Sequence, residues 1–176
     1  MIIRETRLTG AFQIEPERHS DHRGFFARTY CREEFAKAGL QVTFVQSNVS
    51  FNLKRGTLRG MHFQADPKPE GKLVRVTKGA IVDVILDLRK SSATYCQWQA
   101  FELTDENRNS LYIPPGFAHG FQTLSDDSEV FYEMTETFHA DLARGVRWND
   151  RAFGISWPLL DPILSEKDAS YPDFHR

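Results

Sequence analysis

Short apolar or alternating segments, separated by polar turn-like clusters, follow one another along most of the 176-residue chain. In IVDVILDL (81–88) every even position is apolar, while Asp83 and Asp87 share the odd face with two isoleucines. Alternation at period two is typical of β-strands, and many short strands at this spacing favour a sandwich or barrel. The best helix candidate in the first half is REEFAKAGL (32–40), with Gly39 as its stop signal. The pattern predicts an all-β protein.

The chain shows no repeat and no linker rich in glycine, serine or proline, so we predict a single domain over residues 1–176. Residues 145–176 look irregular, yet they include Trp148, Trp157 and Pro158. Aromatic side chains at this density are costly to leave in water. We therefore expect an ordered C-terminal tail packed back on the barrel.

The composition and charge of the chain limit the classes of binding partner and the expected location. The 22 Lys and Arg residues nearly balance 24 Asp and Glu residues without a block of like charge, so neither nucleic acid nor a membrane surface is expected as a partner. No segment approaches the ~20 apolar residues of a membrane span, and the N-terminus lacks the apolar core of a signal peptide. Cys31 and Cys96 lie far apart and form no CxxC motif, which indicates free thiols. We expect a cytoplasmic protein.

Three polar side chains fall on the apolar faces of predicted strands: His62, Lys72 and Tyr132. Each has an ordinary structural reading, since a histidine or tyrosine can be a satisfied core residue and a lysine can reach solvent. Their convergence on neighbouring inward faces instead favours a polar site. Arg59 has the opposite parity to His62, so it can serve the same pocket only if the strand bulges near Gly60.

Metal binding is the main alternative. The segment IPPGFAHGF (113–121) resembles the second motif of the cupins, but where metal-binding cupins have further ligands this chain offers only His62. His62 and His119 fall short of the three or four protein ligands that zinc or another transition metal takes. We predict no metal and no other cofactor. Hydrolysis through a nucleophile is not favoured either, because the chain has no GxSxG motif.

Nine motifs follow one another in order over nearly the whole chain: RGFF (23–26), FVQSN (44–48), LRGMHFQ (58–64), GKLVRV (71–76), VDVILDLRKSSATYCQW (82–98), IPPGFAHGFQTLS (113–125), WND (148–150), GISWP (154–158) and LSEKD (164–168). Together they resemble the dTDP-4-dehydrorhamnose 3,5-epimerase (RmlC) family. The resemblance implies a metal-free cupin-type jelly-roll barrel with a short N-terminal helix. It also implies a nucleotide-linked 4-keto-6-deoxyhexose as substrate and a homodimer that exchanges N-terminal strands.

By this resemblance His62 is the base, Asp168 holds it in a dyad, Tyr132 is the acid on the opposite face, and Lys72 stabilises the enolate oxygen. A C4 ketone acidifies the protons on C3 and C5, so inversion needs a base on one face and an acid on the other. A fixed cation suits the developing oxyanion. The expected substrate-binding residues are Arg23, Arg28, Gln46, Asn48, Arg59, His119, Phe138 and Lys167.

The chain departs from the family pattern on the nucleotide side: Ala27, Arg28, Ser47, Phe138 and Ala143 replace the usual residues. None of these changes affects the four catalytic positions. We expect inversion of C3, C5 or both in a substrate of the dTDP-4-dehydro-6-deoxy-D-glucose type, giving a product of the dTDP-4-dehydro-L-rhamnose type. A single-site epimerase, an epimerase of CDP-linked sugars and a non-catalytic module that binds sugar nucleotides are the alternatives.

Overall fold

The computed structural model describes residues 1–175. Within that range the chain forms thirteen strands and two short helices, α1 (Arg32–Lys37) and α2 (Glu166–Ala169). Neither helix is long enough to cross a membrane. The strands are β1 (Ile2–Glu5), β2 (Phe12–Glu15), β3 (Arg18–Asp21), β4 (Gly24–Ala27), β5 (Gln46–Asn52), β6 (Leu58–Gln64), β7 (Lys72–Lys78), β8 (Ala80–Asp87), β9 (Trp98–Thr104), β10 (Ser110–Ile113), β11 (Phe117–Thr123), β12 (Ser128–Met134) and β13 (Ala143–Gly145).

Two antiparallel sheets face each other across the main core. One has the order β1-β2-β10-β7-β12-β5 and the other the order β13-β6-β11-β8-β9. Apolar side chains from the two inner faces meet between them, such as Val74 and Val130 from the first sheet and Ile85 and Phe117 from the second. Strands distant in sequence are neighbours in both sheets, as in a jelly roll. The predicted all-β jelly-roll barrel is confirmed.

The C-terminal tail covers the outer face of the second sheet. Phe153, Trp157 and Phe174 pack against the even-numbered face of β8, where Val84 and Leu86 are fully buried. The predicted ordered tail is therefore confirmed, because the outer face of this sheet is apolar and needs a cover. The tail also delivers the short helix α2 to β6.

The N-terminal segment has one packed part and one exposed part. Helix α1 begins at Arg32, as predicted, and ends before Gly39, whose φ of +85° suits glycine. Phe35 on this helix is fully buried, in a cluster with Ile14 and Tyr112. By contrast, β3 and β4 pair only with each other in residues 1–175, and their side chains are exposed or nearly so.

Strand β6 carries one extra residue opposite β11, at the place where the sequence requires a bulge. His62 pairs with His119, and Arg59 pairs with Phe121. Three residue steps on β6 therefore lie opposite two steps on β11. The extra residue reverses the alternation, so Arg59 and His62 line the same cavity. Gly60 permits this conformation, since its φ is +136° and a Cβ atom there would lie 2.5 Å from Cα of Gly120.

Candidate active site

A cavity of about 710 Å³ lies between the two sheets, and most of the predicted site residues line it. Its size is in the range of small-molecule sites. The predicted inward orientation of His62, Lys72 and Tyr132 is confirmed. Nine of the twelve predicted site residues line the cavity: Gln46, Asn48, Arg59, His62, Lys72, His119, Tyr132, Phe138 and Lys167.

His62 stands on the wall formed by the second sheet and is held from behind by the tail. Its Nε2 lies 2.6 Å from Oδ1 of Asp168, the residue that α2 brings to β6. The other carboxylate oxygen accepts the backbone N–H of Gly60 at 3.3 Å, and Ser165 caps the helix by accepting the N–H of Asp168 at 3.1 Å. Burial alone would raise the pKa of Asp168, but hydrogen bonds with His62, the backbone of Gly60 and the side chain of Ser165 hold it below its usual value. A charged carboxylate therefore fixes the tautomer of His62 and leaves Nδ1 for a ligand.

A second histidine–carboxylate pair lies directly across the strand. His119 Nε2 lies 2.8 Å from Oδ2 of Asp83, and both residues are buried. The remaining oxygen of Asp83 has no hydrogen-bond partner within residues 1–175. In each pair Nε2 of the histidine contacts a carboxylate. No group of three or more His, Cys, Asp or Glu side chains in the described chain is arranged to hold a metal ion.

Tyr132 and Lys72 stand on the facing wall, which belongs to the first sheet. Tyr132 lies on β12, and Met134, two residues later, is on the same face of that strand. Met134 pairs with Lys72 of the neighbouring strand β7, so Lys72 and Tyr132 lie on the same face of the sheet. Burial raises the pKa of Tyr132, with Glu70 adding to the rise and Arg59 opposing it, so the phenol keeps its proton at neutral pH. The ammonium of Lys72 lies 2.6 Å from Oε1 of Glu70.

Polar and cationic side chains line the rest of the cavity. Arg59 donates from Nε to Oδ1 of Asn52 at 2.7 Å, which orients its guanidinium. Gln46 donates to Oδ1 of Asn48 at 3.0 Å and accepts the backbone N–H of Phe138 at 2.9 Å. This bond places the exposed ring of Phe138 on the lining of the cavity. Arginine and an exposed aromatic ring suit a phosphate-bearing ligand with a flat base.

Arg23 and Arg28 lie outside this cavity. Arg23 is at the turn of the exposed β3–β4 hairpin and contacts Asp21 at 2.6 Å. Arg28 follows the same hairpin and contacts Glu34 of α1 at 2.5 Å. Within residues 1–175 the structure therefore does not bring these two arginines to the other site residues.

Sequence reasoning did not select as site residues eleven others that line the cavity, among them Phe51, Glu70, Arg144 and Tyr171. Glu70 could have been found, since it shares the parity of Lys72 two residues later. Tyr171 comes from the irregular tail, where no periodicity exists, and its ring meets that of His62 edge-on with centroids 6.2 Å apart. Its position could not be read from the sequence pattern.

Known proteins are similar to this chain over nearly its whole length. The family model described as dTDP-4-dehydrorhamnose 3,5-epimerase matches residues 5–176. The dTDP-4-dehydrorhamnose 3,5-epimerase of Methanothermobacter thermautotrophicus is 50% identical over 170 residues, which cover 95% of this chain and 91% of that protein.

Two solved structures are also closely similar. The dTDP-4-dehydrorhamnose 3,5-epimerase of Bacillus anthracis, crystallised with TDP and PPi bound, superposes with a TM-score of 0.96 at 44% identity, covering 98% of this chain and 99% of that one. The dTDP-6-deoxy-D-glucose-3,5-epimerase of Legionella pneumophila, in complex with dTDP-4-keto-L-rhamnose, gives a TM-score of 0.91 at 36% identity, covering 97% of this chain and 90% of that one. With a family model matched over nearly its whole length and relatives at this identity, the chain belongs to the dTDP-4-dehydrorhamnose 3,5-epimerase family.

Proposed function

We propose that this protein is an isomerase that inverts C3 and C5 of a nucleotide-linked 4-keto-6-deoxyhexose, converting dTDP-4-dehydro-6-deoxy-D-glucose to dTDP-4-dehydro-L-rhamnose. One observation carries the proposal. The carboxylate-backed base His62 and the protonated phenol of Tyr132 stand on facing sheets of one cavity. Inversion at carbon needs this arrangement, since the proton leaves one face and returns to the other.

The steps follow from the geometry. His62 Nδ1 takes the proton from the carbon next to the C4 ketone, and Asp168 stabilises the imidazolium that forms. The electron pair moves to the C4 oxygen, where the ammonium of Lys72 stabilises the enolate. Tyr132 then gives its proton to the same carbon from the opposite face. His62 then releases its proton to water and Tyr132 regains one from water, which restores both groups. Rotation of the sugar presents the second carbon to them for the second inversion.

We propose a thymidine diphosphate as the nucleotide. Arg59 and Lys167 supply positive charge for the pyrophosphate, and Phe138 supplies a flat face for the base. The relatives with TDP or a dTDP-linked sugar bound support this choice. His119, Gln46 and Asn48 complete the proposed contacts to the substrate.

Exchange with deuterated water tests the reaction and the roles together. The wild-type protein should introduce deuterium at C3 and C5 of dTDP-4-dehydro-6-deoxy-D-glucose and form the epimer. His62→Ala should lose both exchange and inversion by at least ~10²-fold, because no carbanion forms. Tyr132→Phe removes only the returning proton, so exchange should outrun inversion in this variant.

Matched controls exist for both changes. Tyr112 is buried in a different cluster and His139 lies outside the cavity lining, so Tyr112→Phe and His139→Ala should keep wild-type ratios of exchange to inversion. If Tyr132→Phe loses both processes equally while His62→Ala still exchanges, the two roles are reversed. Exchange at one carbon only indicates a single-site epimerase, and faster turnover of a CDP-linked sugar contradicts the nucleotide. Binding without exchange indicates a non-catalytic module.

We further propose a homodimer in which N-terminal strands are exchanged. The β3–β4 hairpin buries almost nothing in its own subunit, and Phe26 on it is 70% exposed. A lone two-stranded hairpin is marginal in water. Strand β5 is an edge strand with the exposed apolar side chains Val49 and Phe51, and the exposed Leu53 follows directly after it. Pairing the hairpin with β5 of a second copy satisfies both surfaces.

This exchange would carry Arg23 and Arg28 toward the second subunit's cavity, since that cavity is lined by Gln46 and Asn48 of β5. Subunit mixing tests the arrangement. Arg23→Ala and His62→Ala proteins should each be weak, yet a refolded mixture should regain activity because mixed dimers contain one complete site. No gain on mixing, or a monomer in light scattering at micromolar concentration, contradicts the exchange.

We place the protein in the cytoplasm as a single epimerase domain over residues 1–176. Cys31 and Cys96 are both free, and thiols persist in a reducing compartment. Cell fractionation tests the location. Recovery of the protein outside the cytoplasmic fraction contradicts it.

A further inference from the structure

Glu70 is a buried carboxylate in the cavity lining for which the catalytic steps above have no use. Its side chain is only 5% exposed, and Oε1 lies 2.6 Å from the ammonium of Lys72. The second oxygen, Oε2, is buried and has no hydrogen-bond partner within residues 1–175. Such a group costs stability, because desolvation of a carboxylate is only partly repaid by one ion pair. The arrangement therefore points to a role other than stability.

The backbone on either side of Gly71 holds this carboxylate in place. The N–H of Gly71 donates to the hydroxyl of Thr135 at 2.7 Å, and the N–H of Thr135 donates to the carbonyl of Gly71 at 2.9 Å. A Cβ atom at position 71 would lie 3.2 Å from the carbonyl oxygen of Ile113. Glycine thus lets the chain lie tightly against its neighbours, and Glu70 and Lys72 emerge on the same side of it.

The ion pair with Glu70 keeps the ammonium of Lys72 in the cavity. The ammonium of a lysine stands at the end of a flexible stem of four carbons, and without a partner in a largely buried position it would turn toward solvent. Lys72 is instead only 12% exposed, and one of its three N–H donors points to Glu70. Two donors remain for the cavity. The carboxylate therefore fixes the ammonium without using it up.

We propose that Glu70 is a positioning residue, which holds the ammonium of Lys72 where the enolate oxygen forms on C4. The proposal rests on the proposed function, since the enolate belongs to that reaction. Glu70 acts through Lys72, because its Oε1 faces the ammonium and its Oε2 is buried. An ammonium displaced by about 1 Å would stabilise the enolate poorly and cost about 10²-fold in kcat.

The test is a double-mutant cycle on kcat, measured by deuterium exchange. Glu70→Met and Lys72→Met should each lower kcat with little change in KM. Glu70→Met/Lys72→Met should be no slower than Lys72→Met, because Glu70 has nothing left to position. Glu70→Gln keeps an oxygen acceptor at the same place and should stay closer to the wild-type rate than Glu70→Met does.

A purely structural carboxylate gives a different pattern. It would make the double variant slower than Lys72→Met, and that result would overturn the proposal. A wild-type rate for Glu70→Met would also overturn it, and so would a Glu70→Gln protein as slow as Glu70→Met. Glu136→Ala removes a partly exposed carboxylate 3.2 Å from Lys68 and serves as the control, with no change in kcat expected. The double variant replaces the whole ion pair by apolar side chains and should fold even if Glu70→Met does not.

Failure of the proposed function is a separate outcome. In that case the wild-type protein itself introduces no deuterium into the 4-keto sugar. Failure of the positioning role leaves wild-type exchange and the loss in Lys72→Met intact, and changes only the variants of Glu70.

Discussion

Replacing Asp168 with asparagine should trap His62 in the wrong tautomer. In the native protein Oδ2 of Asp168 accepts the backbone N–H of Gly60, and Oδ1 faces Nε2 of His62. An asparagine keeps its oxygen toward Gly60, because two donors cannot face each other. Its amide nitrogen then donates to Nε2, which moves the imidazole proton to Nδ1. That nitrogen is the one left for the substrate, so it can no longer accept a proton.

The size of the effect follows from the lost contact. A hydrogen bond to a charged group contributes about 1.5–3 kcal/mol, and each 1.36 kcal/mol changes a rate tenfold, so the bond alone accounts for roughly 10- to 150-fold. The tautomer adds to this, since the same change in a Ser-His-Asp triad costs about 10⁴-fold. We expect kcat to fall by about 10²- to 10⁴-fold.

The assay is proton NMR in deuterated water, which follows exchange and inversion in one sample. Both should fall by the same factor, because the change acts before the carbanion forms. KM should stay near the wild-type value, since Asp168 lies behind His62. Asp173→Asn is the matched control: Asp173 belongs to the same tail, is exposed and contacts Arg147. It should exchange at the wild-type rate.

Two results would refute this reasoning. One is wild-type exchange in Asp168→Asn, which would mean that His62 does not depend on the carboxylate. The other is normal exchange with inversion lost, which would assign Asp168 to the acid side. Thermal unfolding of both asparagine variants checks that the tail stays packed on the barrel, so a loss of rate is not a loss of fold.

Three further predictions concern stability and cofactors. Burial alone would raise the pKa of Asp87, but hydrogen bonds from Arg89 and two hydroxyls hold it at about 2. Because this folded value lies below the unfolded value of about 3.9, the group should contribute about 2–3 kcal/mol to stability above pH 4 and lose it as the pH falls toward 2. Urea unfolding across that range should give a shallower pH slope for Asp87→Asn, and equal slopes would contradict the prediction. A Cβ atom on Gly145 would lie 2.3 Å from the ring of Tyr171, so Gly145→Ala should lower the free energy of unfolding by about 1–3 kcal/mol in the same assay. An unchanged value would show that the ring moves freely. Treatment with a chelator should leave turnover unchanged, and a loss that zinc, iron or nickel restores would overturn the metal-free reaction.

The period-two pattern determined the strands and most of their inner faces. It placed Lys72 and Tyr132 on the lining of the cavity because side-chain direction in a strand is a local property of the backbone. Local signals also identified α1, which begins at Arg32 and ends before Gly39. The pattern could not give the pairing of distant strands. It required a bulge near Gly60 if Arg59 was to join His62, and the register of β6 on β11 supplied it.

Only the tertiary structure determined which residues of the C-terminal tail reach the site and which strands face each other across the cavity. Asp168 is 106 residues from His62, and Tyr171 lies in a segment with no periodicity. Both reach the site because the apolar outer face of the second sheet buries the tail. Glu70 shares the parity of Lys72 in the sequence, but its burial depends on the packing of β7 beside β10 and β12. Local alternation encodes which way a side chain points, whereas the partner that it meets depends on long-range packing, which no short segment contains.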